Sequence, residues 1–355
     1  MSGFIAAASG QSAQGFRQRV FGIFGILIVL NIFVWAWALI TLHDNAVLMG
    51  TAVLAYTFGL RHAVDADHIA AIDNATRKLM QAGERPVAIG LYFSLGHATI
   101  VILMSLLVGF SASNIQQSFP ELKEIGGIIS TLASAGFLFF LAFFNIVLFR
   151  SVYKTFRHVR EGHAINAAEM DLLLQGSGFL TRIFRSMFHV VSKSWHLFFI
   201  GFLFGLGFDT ATEVALFGIS ATQSMSGASF STIMVFPALF TAGMTLIDTM
   251  DGILMIGAYG WAYEKPIRKL FYNLTITAIS IIVALLVGGI ETLGLIGDKL
   301  GLEGVFWDAI GGLNDNFGVL GYVIIGVFIA SWLASMIVYR VKGYAQLDVR
   351  PSAAE

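Results

Sequence analysis

Long runs of apolar residues, separated by short polar connections, set the pattern of this chain. A window of about 20 residues, the length a helix needs to cross roughly 30 Å of hydrocarbon, selects eight candidate spans. They lie near 20–42, 48–70, 86–110, 125–149, 196–220, 232–260, 271–296 and 319–340. The expected fold is all-α: a polytopic membrane protein of eight transmembrane helices in a single domain over 1–355. The first sixteen residues lack the basic, apolar and cleavage-site order of a signal peptide and read as a short disordered tail. The 150–195 connection is the largest.

Composition agrees with the pattern. The 355 residues are 57% hydrophobic and 12% charged, with a mean hydropathy of +0.79, too apolar for a soluble domain. About eighteen of the 21 Lys and Arg fall on the side of both termini, whereas Lys123 and Lys299 fall on the other. By the positive-inside rule both termini are cytoplasmic, which requires an even number of spans. The 150–195 loop, with Arg150, Lys154, Arg157, Arg160, Arg182, Arg185 and Lys193, reads as a topology anchor facing anionic lipid head groups. Its His158, His163 and His189 read as solvated.

The net charge of −1 gives no reason to expect a nucleic-acid partner. With no cysteine, any metal must be held by nitrogen and oxygen. No Gly-x-x-x-x-Gly-Lys-Ser/Thr pattern occurs, so ATP is not hydrolysed by that route. No ATPase subunit or cofactor is called for, and an ion gradient or the membrane potential is left as the energy source.

The spans contain four polar islands. Arg61-His-Ala-Val-Asp-Ala-Asp-His68 lies in the second. Charged groups near a bilayer centre cost roughly 2.5–3.5 kcal/mol each on insertion scales, so they mark pathways and sites. At 100° per residue His62, Asp65 and His68 fall at about 0°, 300° and 240°, on one helix face. Asp67 projects at about 140°, off that face in an ideal helix. A local break would restore it, and discontinuous helices are common at transport sites. Imidazole and carboxylate together point to a divalent transition metal. The competing reading is a buried ion-pair network that locks helices together.

The third span carries Ser94, His97 and Thr99. The fifth sets Asp209 and Glu213 at i and i+4, and the sixth sets Asp248 and Asp251 at i and i+3. Such carboxylates need cations or protons in a bilayer. Asn31, midway along the first span, is either helix–helix glue or a selectivity contact at the depth of His62. Phe58-Gly-Leu60 leads the second-span island and Phe204-Gly-Leu206 the fifth, at opposite predicted orientations, which suggests an inverted repeat.

Arg61-His-Ala-Val-Asp-Ala-Asp-His-Ile69 resembles the His-x4-Asp-His signature of the nickel/cobalt transporter family. Phe93-Ser-Leu-Gly-His-Ala-Thr-Ile100, Leu206-Gly-Phe-Asp-Thr-Ala-Thr-Glu213 and the 236–252 segment resemble its other three signatures, in order. The one departure is Ala98, where serine is frequent. The resemblance implies import of Ni²⁺, and of Co²⁺ as a further substrate, across the bacterial cytoplasmic (inner) membrane. It implies that His62, Asp67 and His68 are essential, with His97, Asp209, Glu213, Asp248 and Asp251 along the path. It restores Asp67, and so favours a distorted second span. Asparagine at Asn31 is similar to the nickel-selective type.

Neutral imidazole is required for ligation, so uptake is expected to fall below about pH 6. Export is the alternative, since direction does not follow from ligands. A membrane metalloenzyme would call for a pattern such as His-Glu-x-x-His, which is absent. A non-transporting metal sensor would bind without accumulating metal.

Overall fold

The computed structural model describes residues 13–110, 115–160, 191–207, 211–262 and 266–341. Every regular element among them is helical. In chain order these are α1 (Ala13–Leu42), α2 (Ala46–His62), α3 (Ala66–Gln81), α4 (Ile89–Phe110) and α5 (Ile115–Arg160). A 3-10 turn at Ser194–His196 leads into α6 (Leu197–Phe204), followed by α7 (Ala211–Met225), α8 (Phe230–Ala262), α9 (Pro266–Leu300), α10 (Val305–Asp315) and α11 (Phe317–Val341). Six of these, α1, α4, α5, α8, α9 and α11, are long and apolar enough to cross a membrane, and the bent pair α2 and α3 makes seven. This is a multi-pass membrane protein.

The expected second span is a broken helix. The Asn45 side chain caps α2, its Oδ1 accepting from Val47 N and Leu48 N at 3.1 Å each. The helix ends at His62, and α3 leaves at 49° after a three-residue break. Asp65 occupies the N-cap of α3 in extended conformation but makes no capping bond, because its carboxylate is turned to His62 instead. The expected fifth span is also divided: α6 is only eight residues long, and α7 begins at Ala211.

Three further expectations need correction. Residues 13–16 of the expected tail are already helical, whereas 1–12 lie outside the described residues. Of the 150–195 loop, 150–160 prolongs α5 and 161–190 lies outside the described residues. The 297–318 segment, read as a connection, contains α10, folded back along α9 with Trp307 against Gly297 and the Asn314 side chain against Gly294.

The broken helix sits centrally. One buried cluster joins α1, α2, α4, α7 and α8, another joins α3, α4, α5 and α6, and a third packs Ala66, Ile69 and Ala70 of α3 against Val283, Ala284 and Val287 of α9. Backbones approach through glycine. A Cβ on Gly59 would strike the Phe240 carbonyl, one on Gly201 the Phe93 carbonyl, and one on Gly90 the Asp248 carbonyl. Small residues at such crossings are the membrane solution to close packing.

The second half of α3 lies beyond the span expected over 48–70, yet its Arg77 and Lys78 are buried, at 0% and 6% exposure. Arg77 donates to Thr277 Oγ1 at 2.9 Å and to Asn74 Oδ1 at 3.1 Å, and the Lys78 ammonium lies 5.1 Å from the Phe140 and Phe144 ring centres. Helix α3 is polar on several sides because other helices surround it with hydroxyls, amides and rings.

Candidate metal centre

The break between α2 and α3 creates the site. It leaves His62 at the C-terminal end of one half-helix and His68 in the first turn of the next, so the two rings turn towards each other with centroids 4.6 Å apart. His97 from α4 completes a triangle, 4.8 Å from His62 and 5.0 Å from His68. One ligand nitrogen from each lies within 4.8 Å of the others. All three are buried, at 1%, 0% and 2% exposure. Phe93 and Phe240 wall the rings, at 4.8 Å from His68 and 5.5 Å from His62.

Carboxylates fix the rings from behind. His62 Nδ1 is 3.0 Å from Asp65 Oδ2, and His68 Nδ1 is 3.3 Å from Asp248 Oδ1. A carboxylate at Nδ1 holds the proton there and leaves Nε2 as the ligand atom. His68 Nε2 is buried and makes no hydrogen bond. The Nε2 atoms of His62 and His97 are 3.0 Å apart, and Glu213 Oε1 lies 2.9 Å from the latter and 4.0 Å from the former. Thr212 Oγ1 is 3.4 Å from His62 Nδ1.

The remaining expected residues divide. Asp67 is half-buried with Oδ1 unbonded, and it lines the same cavity as His62, Asp65 and His97. The ideal-helix angle that set it apart does not apply, because the helix is broken. Asp251 stands one turn beyond Asp248, and its electrostatic neighbours are Asp73 and Asp248. Asp209 lies outside the described residues. Asn31 bonds elsewhere: its amide donates to Leu27 O at 2.8 Å and Ala242 O at 3.4 Å, and it accepts from the Tyr56 hydroxyl at 2.9 Å. Residues not singled out beforehand are Asp73, Thr212 and Tyr56. Asp73, which accepts from Ser280 at 2.9 Å, lay beyond the expected end of the second span.

A cavity of about 1170 Å³ reaches this centre and is lined by His62, Asp65, Asp67, His97 and Glu213 at its inner end. The arrangement can bind a divalent cation through imidazole nitrogen and carboxylate oxygen inside the membrane-spanning bundle.

A family model described as high-affinity nickel-transport protein matches residues 48–338. The chain is 55% identical over 334 residues to the high-affinity nickel transport protein of Cupriavidus necator, covering 94% of this chain and 95% of that one. It is 50% identical over 318 residues to the hydrogenase nickel incorporation protein of Bradyrhizobium diazoefficiens, covering 90% and 83%. It is 35% identical over 332 residues to the cobalt transport protein of Rhodococcus rhodochrous, covering 92% and 94%. No solved structure matches the chain.

Proposed function

The chain belongs to the high-affinity nickel-transport family, and on that premise we propose that it imports Ni²⁺ across the cytoplasmic membrane as a secondary permease. The observation that carries this reading is the buried triangle of His62, His68 and His97 at the break in a membrane-spanning helix. The site is assembled from several helices, with α2 and α3 contributing two of the three imidazoles.

Imidazole nitrogen with carboxylate oxygen suits Ni²⁺, and Co²⁺ as a weaker second substrate. Asn31 favours nickel by setting the packing behind the site, since its bonds run to Tyr56 and to the α8 backbone.

Glu213 supplies an oxygen ligand or receives the proton displaced from an imidazole, and Asp67 meets the ion at the cavity side. Asp248, Asp251 and Asp73 lead from the centre along α8 and α3, and Asp209 remains a candidate from the sequence pattern alone. A membrane potential negative inside contributes about 2.3 kcal/mol per charge per 100 mV, twice that for a divalent ion, so uptake needs no ATP.

Counting α2 with α3 as one crossing and α6 with α7 as another gives eight crossings and two cytoplasmic ends. Helix α2 packs on α8 and α6 on α4 through glycines, and in both broken spans the break follows a Phe-Gly-Leu, which supports an inverted repeat. Export has no support from relatives named for high-affinity nickel transport and for nickel incorporation.

Accumulation of radiolabelled Ni²⁺ at nanomolar concentration, in cells lacking their own importers, tests the function. Accumulation that His62→Ala abolishes and that Co²⁺ inhibits weakly is expected. Equal accumulation by both forms, or none by either, would defeat the proposal.

A further inference from the structure

The imidazole centre is buried, so an imported ion needs a route to it from water. The cavity begins at His62, Asp65 and His97 and continues along α9 to Asp298 and Lys299, walled on one side by α10. Eight carboxylates line it against two permanently cationic side chains, Arg61 and Lys299. Lys299 is engaged by Glu124 at 2.7 Å, which leaves the acids to set the field. A narrow, acid-lined cleft between low-dielectric walls concentrates cations.

One of these acids is placed differently from the rest. Val287 of α9 packs in the same buried cluster as Ala66, Ile69 and Ala70 of α3, and Glu291 stands one turn beyond it. That puts Glu291 between the helix break and the end of α9. It is 6% exposed, and its Oε1 accepts from Ser134 Oγ of α5 at 2.8 Å. At the inner end of the same cavity, His97 is 2% exposed and its Nδ1 makes no hydrogen bond. An imidazole of the metal centre therefore stands at the end of a carboxylate-lined path.

We propose that this cavity is the entry vestibule, open to the outside, and that Glu291, held by Ser134, is a transit site for the divalent cation before it reaches the imidazoles. The inference rests on the reading of the chain as a nickel importer. At Glu291 the cation keeps most of its water and is held by carboxylate oxygen. At the imidazoles it exchanges water for nitrogen. The vestibule thus separates capture, which is electrostatic, from selection, which is geometric. Helix α10 serves as its wall, with Asn314 facing the lumen beside Gly294.

Two measurements test this. Glu291→Gln is expected to raise the Ni²⁺ concentration for half-maximal uptake about tenfold, while Ni²⁺ binding to the purified protein stays within about twofold of the unaltered chain. Glu291→Asp should recover most of the loss. Because the chain has no cysteine, Asn314→Cys provides a single thiol. In intact cells a membrane-impermeant thiol reagent should modify it, more slowly when Ni²⁺ is present. An unchanged concentration dependence in Glu291→Gln, or a thiol modified only after cells are opened, would overturn the vestibule. Failure of the unaltered chain to accumulate Ni²⁺ would instead overturn the importer reading, and the thiol experiment would still decide which side the cavity faces.

Discussion

The Nε2 atoms of His62 and His97 face each other at 3.0 Å, although one closes helix α2 and the other lies midway along α4. Two nitrogens this close either share a proton or share a cation, and Glu213 Oε1 stands beside them, 2.9 Å from His97 Nε2 and 4.0 Å from His62 Nε2. Removing either ring leaves a bound ion with too few ligands to replace its water. His97→Ala, like His68→Ala, should lower Ni²⁺ uptake at nanomolar concentration by more than about 100-fold, exceeding the usual loss on removing an outer-sphere partner. Radiolabel accumulation, normalised to membrane-inserted protein, measures it. Retention of half the activity by His97→Ala would exclude that ring as a ligand.

Asp65 and Asp248 hold two of the histidines from behind. Each accepts from an Nδ1, at 3.0 and 3.3 Å, and so keeps the proton off Nε2. An asparagine at either position can donate as well as accept, which permits the tautomer with Nε2 protonated. Asp65→Asn and Asp248→Asn are each expected to weaken Ni²⁺ binding about 10–100-fold. Calorimetric titration of purified protein distinguishes this from a folding defect. Wild-type affinity in both would reduce the two carboxylates to helix-packing partners.

Much of this centre was legible in the sequence, because a bilayer makes charge conspicuous: His62, Asp65, His68, His97, Glu213 and Asp248 stand out against apolar runs and converge in the structure. The break was harder to read. Nothing in Ala63 or Val64 forbids a helix. The break runs over Ala63, Val64 and Asp65, with the Asp65 carboxylate turned back to His62, and it brings Asp67 to the cavity. Asp73, Arg77 and Lys78 were missed for a related reason. Hydropathy averages over a window, so a polar segment sheathed by five other helices looks the same as one in water. Helix α10 was hidden because eleven residues rich in Gly and Asp satisfy loop statistics until Trp307 and Asn314 find α9 to pack against.

Asn31 stands behind the metal centre. Its side chain ties α1 to the Tyr56 hydroxyl of α2 and to the Ala242 carbonyl of α8, two residues beyond Phe240, which packs on His62. Tyr56→Phe deletes the hydroxyl and leaves Asn31 Oδ1 without its 2.9 Å donor. One such bond contributes about 1 kcal/mol, so the Co²⁺ concentration that halves Ni²⁺ uptake should move about fivefold with little change in maximal rate. No change in the competition curve would confine Asn31 and Tyr56 to helix packing.

Glycine at the helix crossings is a requirement of space, and the same substitution should change sign along one helix. At Gly59 an added methyl would meet the Phe240 carbonyl, a backbone atom that cannot swing aside. Gly50, about two and a half turns away on the exposed stretch of α2, has nothing within 4 Å of where a Cβ would sit. Gly59→Ala must therefore push α2 away from α8, at a cost of about 1–3 kcal/mol, and displace His62 at the end of α2. Gly50→Ala gains about 1 kcal/mol of helix propensity instead. Thermal unfolding of the detergent-purified variants, followed by fluorescence size-exclusion chromatography, should place Gly59→Ala below the unaltered chain and Gly50→Ala level with it or above. A Gly59→Ala protein as stable as the parent, with intact Ni²⁺ affinity, would mean that α2 and α8 are not in backbone contact beside the metal centre.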